Sequence, residues 1–173
     1  MNIRSAALSD TERLLEIYAY YVKETAISFE YDVPSIEEFK DRISERLGKY
    51  PYLVAEDNGK IVGYSYASPF VGRTAYNHCC EMTIYLDHDL HGHGYGRALY
   101  EEMEKELKAM GIINLYSCIG DPIVEDEYLT KNSENFHRHM GYEKVGDFHK
   151  CGYKFGRWYN MIWMEKMIGE HKK

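Results

Sequence analysis

Residues 81–97 join a strand pattern to a glycine-rich turn and the start of a helix, in the sequence EMTIYLDHDLHGHGYGR. Three glycines alternate there, at Gly92, Gly94 and Gly96, so the backbone can adopt positive φ angles and carries little side-chain bulk. Apolar residues then recur at helical spacing, at Leu99, Met103, Leu107 and Met110. The segment therefore predicts a strand, a tight turn and a helix in direct succession.

The glycine turn lies where a helix presents unpaired backbone N–H groups. The helix dipole favours negative charge at the same point, and a turn without side chains would admit a diphosphate. The segment matches neither the dinucleotide-binding pattern GxGxxG nor the phosphate-loop pattern GxxxxGK followed by Ser or Thr. Two interpretations follow from the residues alone: an anion site, or a connection that binds no ligand.

Strand and helix patterns alternate along the rest of the chain. Strands are predicted at residues 2–5, 52–56, 61–67, 80–86, 113–119, 143–149 and 158–167. Helices are predicted to begin at Ser9 or Asp10, at Ser35, after the glycine turn and at Ser133. The apolar stripe of the second helix runs to Leu47, and Gly48 is predicted to end that helix. The order β-α-α-β-β-β-α-β-α-β-β predicts an α/β fold around a mixed sheet.

Length and charge narrow the class of protein. The chain of 173 residues suits one domain spanning residues 1–173, without repeats or linkers. Its formal net charge of −7 argues against general binding to nucleic acids or anionic membranes, which requires a basic surface. The N-terminus lacks the apolar core of a signal peptide, and no apolar run reaches the roughly 20 residues of a membrane span. Four cysteines without CxxC spacing predict reduced thiols in a cytoplasmic protein rather than a zinc site.

Five segments together resemble the motifs of a known enzyme family. They are the strand at 81–86, the glycine turn at 91–96, Ser133–His137, Met140–Tyr142 and Lys154–Trp158. In this order they are similar to the GNAT family of N-acetyltransferases, and within it to phosphinothricin acetyltransferases and amino-acid N-acyltransferases. The similarity runs from about Ile3 to Met167. It departs from the family pattern at His91, which replaces Arg or Gln, and at Thr130, which replaces Asn.

The resemblance implies the GNAT fold and acetyl-CoA as the coenzyme. In that fold the strand at Glu81 and the strand after Gly111 splay apart, and the pantetheine arm enters between them. The diphosphate would lie on the glycine turn. The implied coenzyme contacts are Ile84, Tyr85, Leu86, His91, Gly92, His93, Gly94, Tyr95, Gly96, Arg97, Asn132 and Ser133.

Acetyl transfer to an amine requires a base, because an α-amino group has a pKa near 7.7–8.0 and is largely protonated at neutral pH. Glu81 is the predicted base, acting through water, and burial would raise its pKa to suit this role. His137 is predicted to protonate the leaving thiolate or to bind the pantetheine end. The alternatives are an ordinary polar residue at a strand start for Glu81 and a buried structural histidine for His137.

The resemblance also implies an acceptor site. Arg73, Ala75 and Tyr76 are similar to the segment lining the family's amino-acid pocket, where an arginine could bind a carboxylate. Phe29 and Glu30 belong to the loop between the first two helices, which closes over the site in the family. The expected acceptor is a small-molecule amine, in particular an amino acid or an analogue such as phosphinothricin or methionine sulfoximine. A polyamine, an aminoglycoside or a protein N-terminus stays open, and a homodimer through the C-terminal strands is expected.

Two further classes of function are left open by the residues. Nitrogen and oxygen ligands cluster before and within the glycine turn, at Asp87, His88, Asp89, His91 and His93. Such a cluster could bind a divalent metal, although the expected protein is metal-free. The other class is a coenzyme-binding module without turnover, for which the departures at His91 and Thr130 leave room.

Overall fold

Seven strands and four helices make up the computed structural model, which describes residues 1–90 and 92–172. The strands are β1 (Asn2–Ser5), β2 (Tyr52–Asp57), β3 (Lys60–Pro69), β4 (Cys79–Leu86), β5 (Asn114–Asp121), β6 (Glu143–Lys154) and β7 (Arg157–Met167). The helices are α1 (Thr11–Glu24), α2 (Ile36–Ser44), α3 (Tyr95–Ala109) and α4 (Asn132–His139). This order along the chain is the predicted one, and the α/β fold with a mixed sheet is confirmed.

All seven strands belong to one sheet, in the order β1-β2-β3-β4-β5-β7-β6. Neighbouring strands are antiparallel except for β4 and β5, which are parallel and connected through α3. The hairpin between β2 and β3 turns on Asn58 and Gly59, which both have positive φ angles of 49° and 76°. A two-residue turn of this kind matches the right-handed twist of a hairpin, as the Asp-Asn-Gly sequence predicts. Among the described residues no helix is both long and apolar enough to cross a membrane.

Helix α2 begins as predicted but is shorter than predicted. The Ser35 hydroxyl accepts a hydrogen bond from the Glu38 N–H (3.1 Å), which caps the helix N-terminus. The helix ends at Ser44 rather than at Gly48, and Leu47 lies in the turn that follows. The carbonyl of Arg42 explains the early end, because it accepts from the Arg46 guanidinium (2.6 Å) while the Arg46 N–H donates to Ile43 (3.1 Å).

The sheet has a packed core on each face. Helix α3 covers one face with Leu99, Met103 and Leu107, while α1 and α2 cover the other. Side chains alternate along β4, so Cys80 and Met82 belong to the core beneath α3. The same alternation places Glu81, Thr83 and Tyr85 on the face of α1 and α2.

Strands β4 and β5 pair along only part of their length. Residues Cys79, Cys80 and Glu81 pair with Asn114, Leu115 and Tyr116, and pairing stops there although each strand has eight residues. Beyond Glu81 the two strands separate and leave a gap inside the sheet. The splay implied by the family resemblance is therefore present.

Candidate active site

A groove of about 480 Å³ lies along this gap and reaches the glycine turn. Ten of the twelve predicted coenzyme residues line it: Ile84, Leu86, Gly92, His93, Gly94, Tyr95, Gly96, Arg97, Asn132 and Ser133. Tyr85 instead lines a neighbouring cavity, and His91 lies outside the described residues. The structure thus brings together residues that are as far apart in sequence as β4 and α4.

The glycine turn has the conformation that an anion site requires. Gly92 and Gly94 have φ angles of +78° and +79°, and a Cβ built on either would meet nothing within 4 Å. Gly94 is the N-cap of α3 and offers no side chain to its N–H groups, and the first turn carries no acidic residue. Gly96 serves packing instead, since a Cβ there would lie 3.1 Å from the Phe136 ring. The free N–H groups of α3 therefore face the groove without a competing partner from a cap.

Strand β4 contributes backbone groups to the same groove. The Asp87 N–H donates to Val62 of β3 (2.8 Å), and alternate residues of an antiparallel strand point to opposite edges. The N–H groups of Ile84 and Leu86 therefore point into the gap, whereas the N–H of Tyr85 points towards β3. Of the three predicted strand contacts, two have the orientation that a ligand in the gap requires.

Glu81 lines a cavity of about 260 Å³ next to the groove. Ile27, Ile84 and Ser133 line both spaces, so the groove and the cavity meet at these three residues. The Glu81 side chain is half-buried, and its burial raises the pKa of the carboxyl, with Arg46 opposing that shift. A carboxylate with a raised pKa at this junction has the properties predicted for the base.

His137 lies in the same cavity but has both ring nitrogens engaged. Its side chain is buried, with 3% exposed, and Nδ1 lies 2.8 Å from the Ser133 carbonyl oxygen. Because a carbonyl only accepts, Nδ1 carries the proton and Nε2 accepts from the Tyr100 hydroxyl (2.9 Å). Burial lowers the pKa of His137 to about 4, so the ring is neutral at pH 7. This geometry favours the structural alternative over proton donation.

The predicted acceptor residues are not gathered around Glu81. Arg73, Ala75 and Tyr76 are exposed in the connection between β3 and β4, and none lines the Glu81 cavity. The connection is fixed at its start by Phe70, whose ring stacks on Tyr116 with centroids 4.1 Å apart. The segment that follows lies at the surface, so contact of Arg73, Ala75 or Tyr76 with an acceptor stays a prediction.

The loop between α1 and α2 does reach the site, though through a residue that was not predicted. The Phe29 ring packs on the backbone of Gly152, and Glu30 accepts from the Tyr18 hydroxyl (2.5 Å) and pairs with Arg42 (2.8 Å). Ile27 is the member of this loop that lines both the groove and the cavity. An isoleucine in a loop carries no sequence signal for such a position.

The signature at Lys154–Trp158 supports the groove from outside. Phe155 and Gly156 form the turn between β6 and β7, with φ angles of 52° and 71°. Phe155 stacks on Tyr128 with centroids 4.0 Å apart, and Arg157 binds Glu127 through two hydrogen bonds of 2.9 Å. Glu127 and Tyr128 line the groove, so the turn positions an acidic loop that sequence reasoning did not assign to the site.

The candidate metal ligands already have partners. Ligand atoms of Asp87, His88 and Asp89 lie within 4.8 Å of one another. Asp87, however, pairs with Arg13 and with Lys60 (3.2 Å), and the hydrogen bond from Arg13 contributes to lowering the pKa of Asp87 against the effect of burial. The His88 ring stacks on Tyr20 at 3.7 Å in the wall of the groove. These contacts compete with a cation for the cluster and connect His88 to the groove instead.

Comparison with known proteins agrees with this geometry. The family model described as Acetyltransferase (GNAT) domain matches residues 3–163. A phosphinothricin N-acetyltransferase of Streptomyces viridochromogenes is 29% identical over 161 residues, which are 93% of this chain and 84% of that protein.

Two solved structures extend the likeness to the fold. A GNAT superfamily phosphinothricin acetyltransferase from Sinorhizobium meliloti, in complex with AcCoA, is 34% identical with a TM-score of 0.89, covering 97% of this chain and 88% of that one. A ribosomal-protein-alanine N-acetyltransferase from Brucella melitensis is 29% identical with a TM-score of 0.87, covering 96% and 99%. The family model covers most of the chain, and the splayed sheet and the glycine turn at a helix N-terminus agree with it. This chain therefore belongs to the GNAT family of acetyltransferases.

Proposed function

We propose that this protein transfers an acetyl group from acetyl-CoA to the primary amine of a small molecule, an amino acid or an analogue of one. The observation that carries the proposal is the meeting of the groove and the Glu81 cavity at Ile27, Ile84 and Ser133. A thioester bound in the groove would end beside the carboxylate. The Sinorhizobium relative, whose structure contains AcCoA, supports the choice of coenzyme.

The residues of the groove fit the parts of acetyl-CoA. The N–H groups at the start of α3, after Gly92 and Gly94, would bind the diphosphate. The N–H groups of Ile84 and Leu86 would bind the pantetheine arm as a neighbouring strand would, and backbone N–H groups of β4 would polarise the thioester carbonyl. Acetyl-CoA supplies the acetyl group as an activated thioester when bound.

Glu81 would remove the proton from the acceptor ammonium, directly or through water. Its pKa is raised by burial, which brings its basicity closer to that of an amine. Neutral His137 accepts a hydrogen bond from Tyr100, so its proposed part is to position the Tyr100 hydroxyl in the cavity. Proton donation by His137 to the leaving thiolate stays a prediction that this hydrogen-bond pattern does not favour.

Amino acids and their analogues are the proposed acceptors because two of the relatives are phosphinothricin acetyltransferases. The Brucella neighbour, a ribosomal-protein-alanine N-acetyltransferase, supports a protein N-terminal alanine as the second candidate. Binding of an acceptor carboxylate by Arg73 remains a prediction, as do the single domain over residues 1–173, the homodimer and the cytoplasmic location.

The test combines binding with turnover. Calorimetry with acetyl-CoA should show one site per chain, and release of free thiol should follow the addition of amino acids, phosphinothricin or methionine sulfoximine. A protein that binds no acetyl-CoA would overturn the whole proposal. Binding without thiol release for any amine, with an alanine-starting peptide included, would instead identify a coenzyme-binding module.

A further inference from the structure

A second, smaller cavity lies beneath α2, on the same face of the sheet as Glu81. Its volume is about 60 Å³, and Tyr66 and Tyr85 separate it from the Glu81 cavity, since their side chains line both. Its lining also includes two arginines and three further tyrosines: Arg42, Arg46, Tyr18, Tyr52 and Tyr64. No predicted site residue except Tyr85 belongs to it.

Among the residues that the structure describes, Arg46 is a cation without an anionic partner. Its guanidinium carbon lies 5.0 Å from the centre of the Tyr66 ring, and Nη1 donates to the Arg42 carbonyl (2.6 Å). Its Nε is buried and has no hydrogen-bond partner, and no carboxylate in residues 1–90 and 92–172 forms an ion pair with it. Arg42 differs, because it pairs with Glu30 (2.8 Å) and Glu38 (2.6 Å). Buried polar groups are normally hydrogen-bonded, so an unpaired Nε calls for an explanation.

The tyrosines around Arg46 add further donors. Tyr52 and Tyr64 are 4% and 1% exposed, and burial raises the pKa of both hydroxyls. Across the described part of the chain, no hydrogen bond joins the hydroxyls of Tyr52, Tyr64 or Tyr85 to another residue. The Tyr18 hydroxyl, in contrast, is bonded to Ser28 (2.9 Å) and Glu30 (2.5 Å).

The unpaired groups are complementary to one kind of ligand. Guanidinium N–H groups only donate, and phenol hydroxyls donate readily to a charged oxygen. The space suits a group of a few heavy atoms, because one water occupies about 30 Å³ in the liquid. A carboxylate, or an oxyanion of that size, would satisfy the donors and neutralise Arg46.

The position of this cavity relates it to the reaction. Glu81 and Tyr85 lie on the same face of β4, and the charge of Arg46 is felt at Glu81, where it opposes the effect of burial on the pKa. Tyr66 and Tyr85 line both cavities, so an acceptor whose amine lies at Glu81 would have its side chain next to this shared wall. We infer that Arg46 and the tyrosines Tyr52, Tyr64 and Tyr85 bind an anionic side-chain group of the acceptor. This inference rests on the proposed function and selects acidic amino acids and their analogues within it.

L-Glutamate and L-glutamine test the inference, because they differ at the side chain by one charge. The wild-type protein should acetylate glutamate with the higher kcat/KM. Arg46→Gln should reduce kcat/KM for glutamate about 10- to 100-fold relative to glutamine, the range for losing hydrogen bonds to a charged group. Arg46→Lys should keep the preference for glutamate, and Arg138→Gln, on the outer face of α4, should leave both values unchanged. Equal losses for both amino acids in Arg46→Gln would overturn the inference.

A crystal soaked in sodium bromide gives an answer that does not depend on turnover. Bromide should give an anomalous peak between Arg46 and the tyrosine hydroxyls in the wild type and none in Arg46→Met. A wild-type cavity without bromide would overturn the inference even if acetyl transfer is found. If neither amino acid is acetylated but bromide binds at Arg46, the proposed function fails while the anion site stands.

Discussion

Lys154 ties the loop at the active site to the far end of the sheet. Its side chain is buried, with 3% exposed, and Nζ donates to the carbonyls of Val22 (2.7 Å), Thr25 (2.8 Å) and Ser28 (2.7 Å). These three bonds use all three protons of the ammonium. The carbonyls belong to the last turn of α1 and to the loop that carries Ile27, so Lys154 sets where that loop lies.

The loss expected for Lys154→Met can be worked out from these bonds. Each hydrogen bond to a charged group contributes roughly 1.5–3 kcal/mol, so three have an upper sum of about 4.5–9 kcal/mol. Burial lowers the pKa of Lys154, and the negative charge of Glu30 acts in the opposite direction. The cost of removing the ammonium from water therefore offsets part of the stabilisation from the three hydrogen bonds. The carbonyls would also regain water as the loop opens. We expect a net loss of about 3–5 kcal/mol, the range for breaking one side of a buried charged contact.

Urea unfolding of Lys154→Met, compared with Lys40→Met, measures this loss. Lys40 is exposed on α2, so its variant controls for removal of a lysine charge. The Tm of Lys154→Met should fall by about 10 °C, at roughly 2–4 °C per kcal/mol for a chain of this size. In the folded variant the KM for the acceptor should rise more than the Kd for acetyl-CoA. A change in unfolding free energy below about 1 kcal/mol, or one equal to that of Lys40→Met, would refute the reasoning.

Three further predictions concern the base, the glycine turn and the buried histidine. Glu81→Gln should lower turnover by about two to four powers of ten while acetyl-CoA still binds. Because burial raises the pKa of Glu81 in the fold, its carboxylate lowers stability increasingly as the pH rises above 4.5, so the same variant should gain stability at pH 7 and not at pH 4. Gly94 and Gly48 both have a φ of +79° and open space around them, so replacing either with alanine should cost about 1 kcal/mol of stability. Only Gly94→Ala should also weaken acetyl-CoA binding, by about tenfold. His137 has a pKa of about 4 in the folded protein and 6.5 in the unfolded chain. The neutral ring therefore contributes about 3 kcal/mol to the free energy of unfolding above pH 6.5, and this contribution is lost as the pH falls towards 4. His137→Gln should flatten the dependence of stability on pH in this range.

Each of these three predictions has a result that would contradict it. Unchanged turnover in Glu81→Gln would remove its assignment as the base. Equal acetyl-CoA affinity in the two alanine variants would show that the glycine turn does not contact the coenzyme. A stability profile in His137→Gln with the wild-type slope between pH 4 and 6.5 would show that another group causes the acid loss.

The order of elements could be predicted because each depends on local pattern. The Ser35 cap, the Asn58–Gly59 turn and the alternating glycines at 92–96 act within a few residues, and all three have the predicted form. The end of α2 could not be predicted, because it depends on a hydrogen bond that the Arg46 guanidinium donates to the Arg42 carbonyl.

The lining of the site was predictable only in part, because much of it depends on contacts between residues that are far apart in the sequence. The coenzyme groove contains one continuous run, residues 92–97 of the glycine turn and the start of α3, which a sequence motif can identify. The Glu81 cavity combines residues 81–85 of β4 and 117–120 of β5 with single residues from other elements, among them Tyr66, Tyr100 and His137. Tyr100 was not among the residues predicted from the sequence, and its place in the cavity lining and its contact with His137 are seen only in the structure. Arg73 was assigned to the acceptor site by resemblance; its side chain is exposed in the connection between β3 and β4, and its contact with an acceptor stays a prediction.

An interrupted sheet has edges in its interior as well as at its sides. Past Glu81, the N–H groups of Ile84 and Leu86 point into the gap, where no neighbouring strand pairs with them. A ligand with amide groups of its own would act there as a surrogate strand and add about 2.7 kcal/mol of stability at a hundred times its Kd. The amide protons of Ile84 and Leu86 should therefore exchange quickly in the empty protein and slowly in the loaded one, which makes the rigidity of the sheet depend on the supply of its ligand.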